Sequence, residues 1–335
     1  MRIFVIEYIT GGGLIRDDLP QGILHEAEKM LTALLDDLED VAGVQLRVSR
    51  DPRLPALATP CEVVVPDRHD NIWDVWDDCM QDCDAVWPIA PETGGLLQRI
   101  SAKVLARGCR LIGSRPTAVA IAASKYRTSV CLENNGIDVV PTFPAGTNIP
   151  RRQGRWVVKP DDGVGCEGIR ICDDYDSMQK ALQDCSPDAG YIAQPWLAGE
   201  PASLSMLCRD AEAVLLSANL QNVVSRGSGF ELQGIHVNGL PDPEARYDEL
   251  ARAIARSING LWGYVGVDFM LTPSGPVVLE VNPRLTVSYA GLHTVLGANV
   301  AALIVDMLDP GSQLPVCAPL ASETVVPGAE VMDVA

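Results

Sequence analysis

Histidine is scarce in this chain. His25, His69, His236 and His293 are the only four in 335 residues, and no two stand at a spacing that would hold a metal ion. Each reads as hydrogen-bonded scaffold. Positive charge is also thin: 26 Lys and Arg against 44 Asp and Glu leave a net charge of −18, which would repel a nucleic-acid backbone or an anionic membrane surface. Neither is expected as a partner. No apolar run is long enough for a transmembrane helix, and no internal repeat is present. The first residues, "MRIFVIEYI", read directly as a strand rather than as a secretory leader. The ten cysteines are scattered, which fits reduced thiols in a cytoplasmic protein better than a disulfide framework. Cys79 and Cys83 stand four apart in "DDCMQDCD", but no second Cys/His pair follows, so packing outweighs zinc binding. A nucleophile-elbow motif and a Cys/His catalytic pattern are missing too.

What is present is a large apolar share, 47% of residues, enough for a compact protein of two or three packed units. Residues 1–116 alternate strand-like and helical stretches: "RIFVIEYI", "LHEAEKMLTALLDDL", "VQLRVS", "NIWDVWDDCMQDC", "DAVWPIA", "TGGLLQRISAKVLARG". That alternation implies an N-terminal open parallel α/β domain. Ligands on such sheets sit beyond the C-terminal strand ends, where two loops leave: "EYITGGG", with Glu7, Thr10 and Gly11, and "APETGG", with Glu92. Tight-turn chemistry and ligand contact are both open for these loops. Residues 117–198 read as a small antiparallel lid domain containing "RWVVKP", "GIRIC" and "YIAQPWL". Residues 199–310 read as a C-terminal α+β domain, with strands "ASLSMLCR" and "AVLLSANLQNVV", a helix "PEARYDELARAIARSI" and the hairpin "GYVGVDFMLTPSGPVVLEVNP". Residues 311–335, rich in Pro, Ala and small polar side chains, are expected to be a loosely ordered tail.

The stretch "VVKPDDGVGCEGIRIC", residues 157–172, carries Gly163, Gly165 and Gly168 at the G-x-G-x-x-G spacing of dinucleotide-binding loops. That reading needs a helix afterwards, whereas "IRIC" is β-branched and alternating and prefers a strand. A P-loop reading fails as well, because Ile169 and Arg170 follow where Lys and Ser/Thr are required. The loop therefore joins two strands. Its backbone amides can close over phosphates, with Lys159 placing a charge on the same oxygens.

In the hairpin, Glu280 and Asn282 are two apart and face the same way, and Asp268 on the partner strand can come opposite them. Three hard oxygen ligands at a strand end suit Mg²⁺, with Mn²⁺ as an alternative. A solvated acidic face does not explain one acid within each of two otherwise apolar strands. Arg284, just beyond, can reach a phosphoryl group.

The ordered set "RWVVKP…GVGCEG", "QPWLAGE", "GVDFML" and "VLEVNPR" resembles the ATP-grasp superfamily of carboxylate–amine ligases over residues 1–308. The resemblance implies an ATP-grasp fold, ATP as cosubstrate and Mg²⁺ held by Asp268, Glu280 and Asn282. It implies that Lys125, in "ASKYRT", and Lys159 contact the phosphates, and that the loop Gly163 to Gly168, with Gly165, folds over the triphosphate. "QPWLAGE" becomes the adenine hinge, with Gln194 beside the amino group, Pro195, Trp196 and Leu197 offering backbone, and Glu200 toward the ribose. Many relatives carry an acid where Gln194 stands, and the register at Glu200 is shifted in some.

Within the superfamily, "EVNPRLTVSYAGL", "EYITGGG" and "APETGG" resemble the tyramine–glutamate ligases of methanofuran and methylofuran synthesis. That implies small-molecule partners: a carboxylate, the side chain of glutamate, and an amine, tyrosine or tyramine. Glu7 and Glu92 are candidates for the amine side, and Thr286 and Ser288 for the acyl donor; structural roles stay equally open. A homodimer is compatible with the sequence. The alternatives are a D-Ala-D-Ala-like dipeptide ligase, a non-catalytic ATP-binding module and a nicotinamide oxidoreductase.

Overall fold

A computed structural model describes residues 1–163, 168–185, 190–226, 229–242 and 244–327. The N-terminal unit is a five-stranded sheet in the order β3-β2-β1-β4-β5, all parallel where paired. Its strands are β1 (Arg2–Glu7), β2 (Gln45–Ser49), β3 (Glu62–Val64), β4 (Ala85–Ile89) and β5 (Arg110–Leu111). Helices α1 (Gln21–Glu39), α2 (Ile72–Gln81) and α3 (Leu96–Ala106) connect them. The continuous apolar run of β1 is explained by burial on both faces. Ile3 and Val5 pack against Leu31, Leu34 and Leu38 of α1, while Phe4 and Ile6 meet Trp76, Ile100 and Val104 on the other side. Cys79 and Cys83 belong to this second layer. Burial pushes the Cys79 thiol up to about 11, and the Cys83 thiol donates to the Cys79 carbonyl. These are packing cysteines.

Two short helices, α4 (Pro116–Ala122) and α5 (Lys125–Glu133), lead into the small sheet of β6 (Phe143–Pro144), β7 (Trp156–Pro160), β8 (Arg170–Cys172) and β9 (Tyr191–Pro195). Its order is β6-β9-β7-β8 and every pairing is antiparallel. The glycine loop thus runs from strand β7 to strand β8, as the "IRIC" pattern requires. Alternation sorts its faces: Trp156 and Val158 enter a core with Met178 of α6 (Tyr175–Gln183), while Val157 and Lys159 lie on the opposite face.

The third sheet has the order β14-β13-β10-β11-β12-β15. Its strands are β10 (Glu200–Arg209), β11 (Glu212–Arg226), β12 (Gly229–Val237), β13 (Gly263–Thr272), β14 (Gly275–Asn282) and β15 (Glu323–Val325), with α7 (Arg246–Ser257) crossing from β12 to β13. One face is apolar: Ala202, Leu204, Met206, Val265, Val267 and Phe269 pack against Tyr247, Ala251 and Ile254 of α7. The other face is mixed: Ser203, Ser205, Asn219 and Asp268 are polar, while Leu207, Leu216, Ile235, Val237 and Tyr264 join the core cluster around α1.

Two features depart from the sequence reading. Within the stretch expected to be a loose tail, Glu323–Val325 pairs antiparallel with Val237–Ile235, and Val325 is buried. Its β-branched residues cover backbone groups that the edge strand β12 would otherwise leave open. The N-terminal unit also shares its core with the C-terminal chain. Leu285, Tyr289, Leu292 and, from α9 (Val300–Asp306), Val300 and Ile304 join the cluster around α1, with α8 (Leu292–Leu296) between them. Among the described residues, no single helix is long and apolar enough to cross a membrane.

Candidate active site

The cleft lies where three structural units meet, and its floor is the β13–β14 hairpin. Asp268 pairs in register with Glu280, and Gly266 with Asn282, so all four share the cleft-facing side of the sheet. A bulge follows Asp268. It leaves Leu279 as the extra residue and lets both strands return to apolar packing beyond the acids. Asn282 Nδ2 donates to Asp268 Oδ2 at 2.9 Å, and Gln221 Nε2, from β11, donates to Asp268 Oδ1 at 2.8 Å.

Desolvation and then the neighbouring Glu280 charge raise the Asp268 carboxyl, against the pull of the Asn282 and Gln221 amides. Glu280 goes the other way: desolvation would raise it, but Lys125 and Lys159 hold it below the usual carboxylate range. The two carboxyls are thus driven in opposite directions. Two facing acids with a side-chain amide are a hard-oxygen set of the kind that suits a divalent cation. Among the described residues no group of three or more His, Cys, Asp or Glu gathers, so the donor set is two acids and Asn282. It fits Mg²⁺, which takes one or two carboxylates and completes its shell with water or phosphate.

Lys125 is the first residue of α5, whose N-cap Ser124 accepts from Arg127 N. Its Nζ lies 3.0 Å from Glu280 Oε2 and donates to the Gly163 carbonyl at 2.6 Å. Burial alone would lower this ammonium, but Glu280, with Glu92 and Asp161, lifts it above its ordinary value. Lys125 thus ties the acid pair to the base of the glycine loop. Lys159 sits on β7 opposite Ile192, and Val157 opposite Gln194, so Lys159 and Gln194 share a face. Gly168 takes a left-handed φ of +69°, and a Cβ there would come within 3.1 Å of Pro160. Gly165 lies outside the described residues.

At the hinge, Gln194 is buried and its Nε2 donates to Thr142 Oγ1 at 2.9 Å. Pro195 ends β9, and Trp196 N donates to Arg155 O at 2.8 Å. The Arg155 guanidinium lies over the Trp196 ring at 4.2 Å. Leu197 follows in the link to β10. Glu200 is exposed at the start of β10. Gly199 is required beside it, because a Cβ would stand 2.6 Å from the Leu271 carbonyl oxygen.

The residues considered for substrates are placed less uniformly. Glu7 Oε2 accepts from Thr10 N at 2.6 Å and Thr10 Oγ1 at 2.7 Å. Burial lifts its carboxyl to about 7 against those donors. A Cβ on Gly11 would meet Glu7 O at 2.4 Å, so "EYITGGG" is built as a close-packed turn. Glu92 and Arg284 meet each other: Arg284 Nε is 3.0 Å from Glu92 Oε1, and Nη2 donates to Oε2 at 3.0 Å. Burial would lower the Arg284 guanidinium, but Glu92, Glu280 and Glu26 raise it. Ser288 is buried among hydroxyls: it meets Ser205 Oγ at 3.1 Å, Tyr264 OH at 3.0 Å and Thr286 Oγ1 at 2.9 Å. Thr286 is the half-buried member at the rim, and Gly266 makes room for it, since a Cβ there would meet Thr286 Cγ2 at 2.6 Å.

Sequence reasoning missed Gln221 and Glu26. Glu26, on α1, is raised by burial and lowered by the nearby Arg284. Helical spacing could place it on a face of α1, but not beside Arg284, which lies beyond the distant hairpin.

This fold sets a small antiparallel sheet beside a hairpin that carries two facing acids, the architecture of a class of nucleotide-binding proteins. Residues 122–288 match the ATP-grasp domain and residues 44–119 the pre ATP-grasp 3 domain; the chain belongs to the ATP-grasp superfamily. It is 26% identical over 214 residues to the tyramine–L-glutamate ligase of Methanocaldococcus jannaschii, a match covering 64% of this chain and 60% of that one. Among solved structures it resembles an ATP-grasp superfamily protein from Archaeoglobus fulgidus, with a TM-score of 0.70, 21% identity and coverage of 97% and 99% of the two chains. It also resembles the D-alanine–D-alanine ligase of Bacillus anthracis, with a TM-score of 0.63, 16% identity and coverage of 92% and 96%.

Proposed function

We propose that this chain is an ATP-dependent ligase that joins the side-chain carboxyl of glutamate to an aromatic amine, tyrosine or tyramine, through an acyl phosphate. The observation that carries this reading is the convergence of Lys125 on Glu280 at 3.0 Å and of Asn282 and Gln221 on Asp268 at 2.9 and 2.8 Å. Together these form an acid pair with a cation beside it, at the junction of the hairpin and the glycine loop. The substrate pair rests on the likeness to the tyramine–L-glutamate ligase.

A carboxylate does not acylate an amine at neutral pH until one of its oxygens becomes a leaving group. Here the substrate carboxylate attacks the γ-phosphorus of ATP, giving acyl phosphate and ADP. The amine then displaces phosphate through a tetrahedral intermediate. Asp268, Glu280 and Asn282 would hold Mg²⁺, which when bound neutralises phosphate charge. Lys125 and Lys159 bind the phosphate oxygens, and Arg284, oriented by Glu92, offsets charge on the group in transfer. The glycine loop excludes water that would hydrolyse the acyl phosphate. No protein nucleophile is required.

The test is product analysis by mass spectrometry with ATP, Mg²⁺, glutamate and, separately, tyramine, tyrosine and D-alanine. A γ-glutamyl amide of an aromatic amine is expected. Amide formation with D-alanine alone would replace the substrate pair with a dipeptide ligase's.

A further inference from the structure

Both oxygens of Asp268 receive a side-chain amide N–H, one from each side of the strand. Asn282 reaches Oδ2 from β14, at 2.9 Å. Gln221 reaches Oδ1 from β11, at 2.8 Å, although β10 lies between β11 and β13. Two inter-strand steps amount to roughly 9.6 Å, so the contact needs a long side chain passing over a short one. Ser203 is the short β10 residue opposite Asp268; Asn219 faces it on β11 and Gln221 lies two residues further on, so the Gln221 contact runs diagonally across β10. Irregularities follow both partners: β11 slips register between Asn222 and Val223, and β13 between Asp268 and Phe269. Such bulges re-aim side chains near sites.

We infer that Gln221 is a positioning residue that fixes the Asp268 carboxylate for cation binding by donating to Oδ1 while Asn282 donates to Oδ2. With an N–H on each oxygen, the carboxylate plane cannot turn, and the remaining lone pairs face Glu280 and the cleft. A glutamine suits this role because it donates without bringing charge. Lysine would add a third cation beside Lys125, and glutamate a third acid facing Asp268 and Glu280. Outer partners that orient a metal ligand alter metal affinity about 10- to 100-fold when removed. The inference rests on the metal site put forward above.

The test titrates Mn²⁺, followed by its paramagnetic resonance signal, into the whole protein saturated with ADP, for the wild type, Gln221→Ala, Gln221→Met and Gln221→Glu. ADP affinity without metal and the melting temperature serve as controls for an intact fold; Gln221→Met, which keeps length without the donor, carries the test if the alanine variant is unstable. Gln221→Ala and Gln221→Met are expected to weaken Mn²⁺ binding about tenfold with metal-free ADP affinity unchanged. Gln221→Glu should be weaker still, because it offers an oxygen where the N–H is needed. Equal Mn²⁺ affinity in the wild type and the neutral variants would overturn the inference. So would a Gln221→Glu variant that binds as tightly as the wild type, since the side chain would then act through its oxygen as a ligand. Absence of ADP-dependent Mn²⁺ binding in the wild type would overturn the metal site itself, and this inference with it.

Discussion

Asp268 and Glu280 stand opposite one another on paired antiparallel strands, and their environments drive the two carboxyls apart, Asp268 upward and Glu280 downward. Lys125 Nζ, 3.0 Å from Glu280, stabilises the charged member. Glu280 is thus both the charged half of the proposed cation site and the partner of a buried ammonium. Replacing Glu280 by Gln keeps the shape, removes that charge and leaves Lys125 without its carboxylate. Turnover should fall by roughly two orders of magnitude or more, with the circular dichroism spectrum unchanged. Near-normal turnover at saturating Mg²⁺ would exclude Glu280 as a ligand.

Glu7 gives a pH signature that is read in stability. Its carboxyl is raised from 4.5 to about 7 by burial, so the folded state keeps a proton that the unfolded chain releases. The resulting stability is full below pH 4.5 and is lost as pH rises through about 7. Glu7→Gln cannot ionise. The stability difference between wild type and variant should therefore move in the variant's favour by up to about 3 kcal/mol across that window. Urea unfolding at pH 4.5 and pH 7.5 measures it, and a constant difference would contradict the assignment.

Glu92 is buried and Arg284 largely so, and removing Glu92 takes away the carboxylate that Arg284 bonds, leaving Glu280 and Glu26 to offset its charge. Glu92→Ala should destabilise by about 3 kcal/mol. Adding Arg284→Met to it should recover part of that loss rather than add to it. Additive losses in denaturant melts would show that the two side chains do not stabilise one another.

Local pattern made much of this legible. The parity of Glu280 and Asn282 and the hairpin through Pro273 and Ser274 place the acids on one face, and the β-branched "IRIC" assigns the glycine loop to a strand pair. What stayed hidden was long-range. Glu92 and Arg284 are 192 residues apart in sequence, and nothing in either segment names the other. Gln221 looks like any polar residue on a strand until the strand order brings it within reach of Asp268. Leu285 and Val300 read as ordinary apolar positions, yet they complete the core of a unit begun at residue 1. The composition of residues 311–335 suggests loose chain, because pairing at a sheet edge depends on backbone groups that composition does not report.

In the proposed reaction the carboxylate is activated by phosphoryl transfer, and following an oxygen isotope tests that step. Glutamate carrying ¹⁸O in its side-chain carboxyl is incubated with ATP, Mg²⁺ and the aromatic amine, and the released phosphate is analysed by mass spectrometry. An acyl phosphate breaks at the acyl carbon when the amine attacks, so one labelled oxygen should leave with the phosphate, alongside ADP and the γ-glutamyl amide. Amide formation with unlabelled phosphate, or with AMP and pyrophosphate in place of ADP and phosphate, would rule out an acyl-phosphate path.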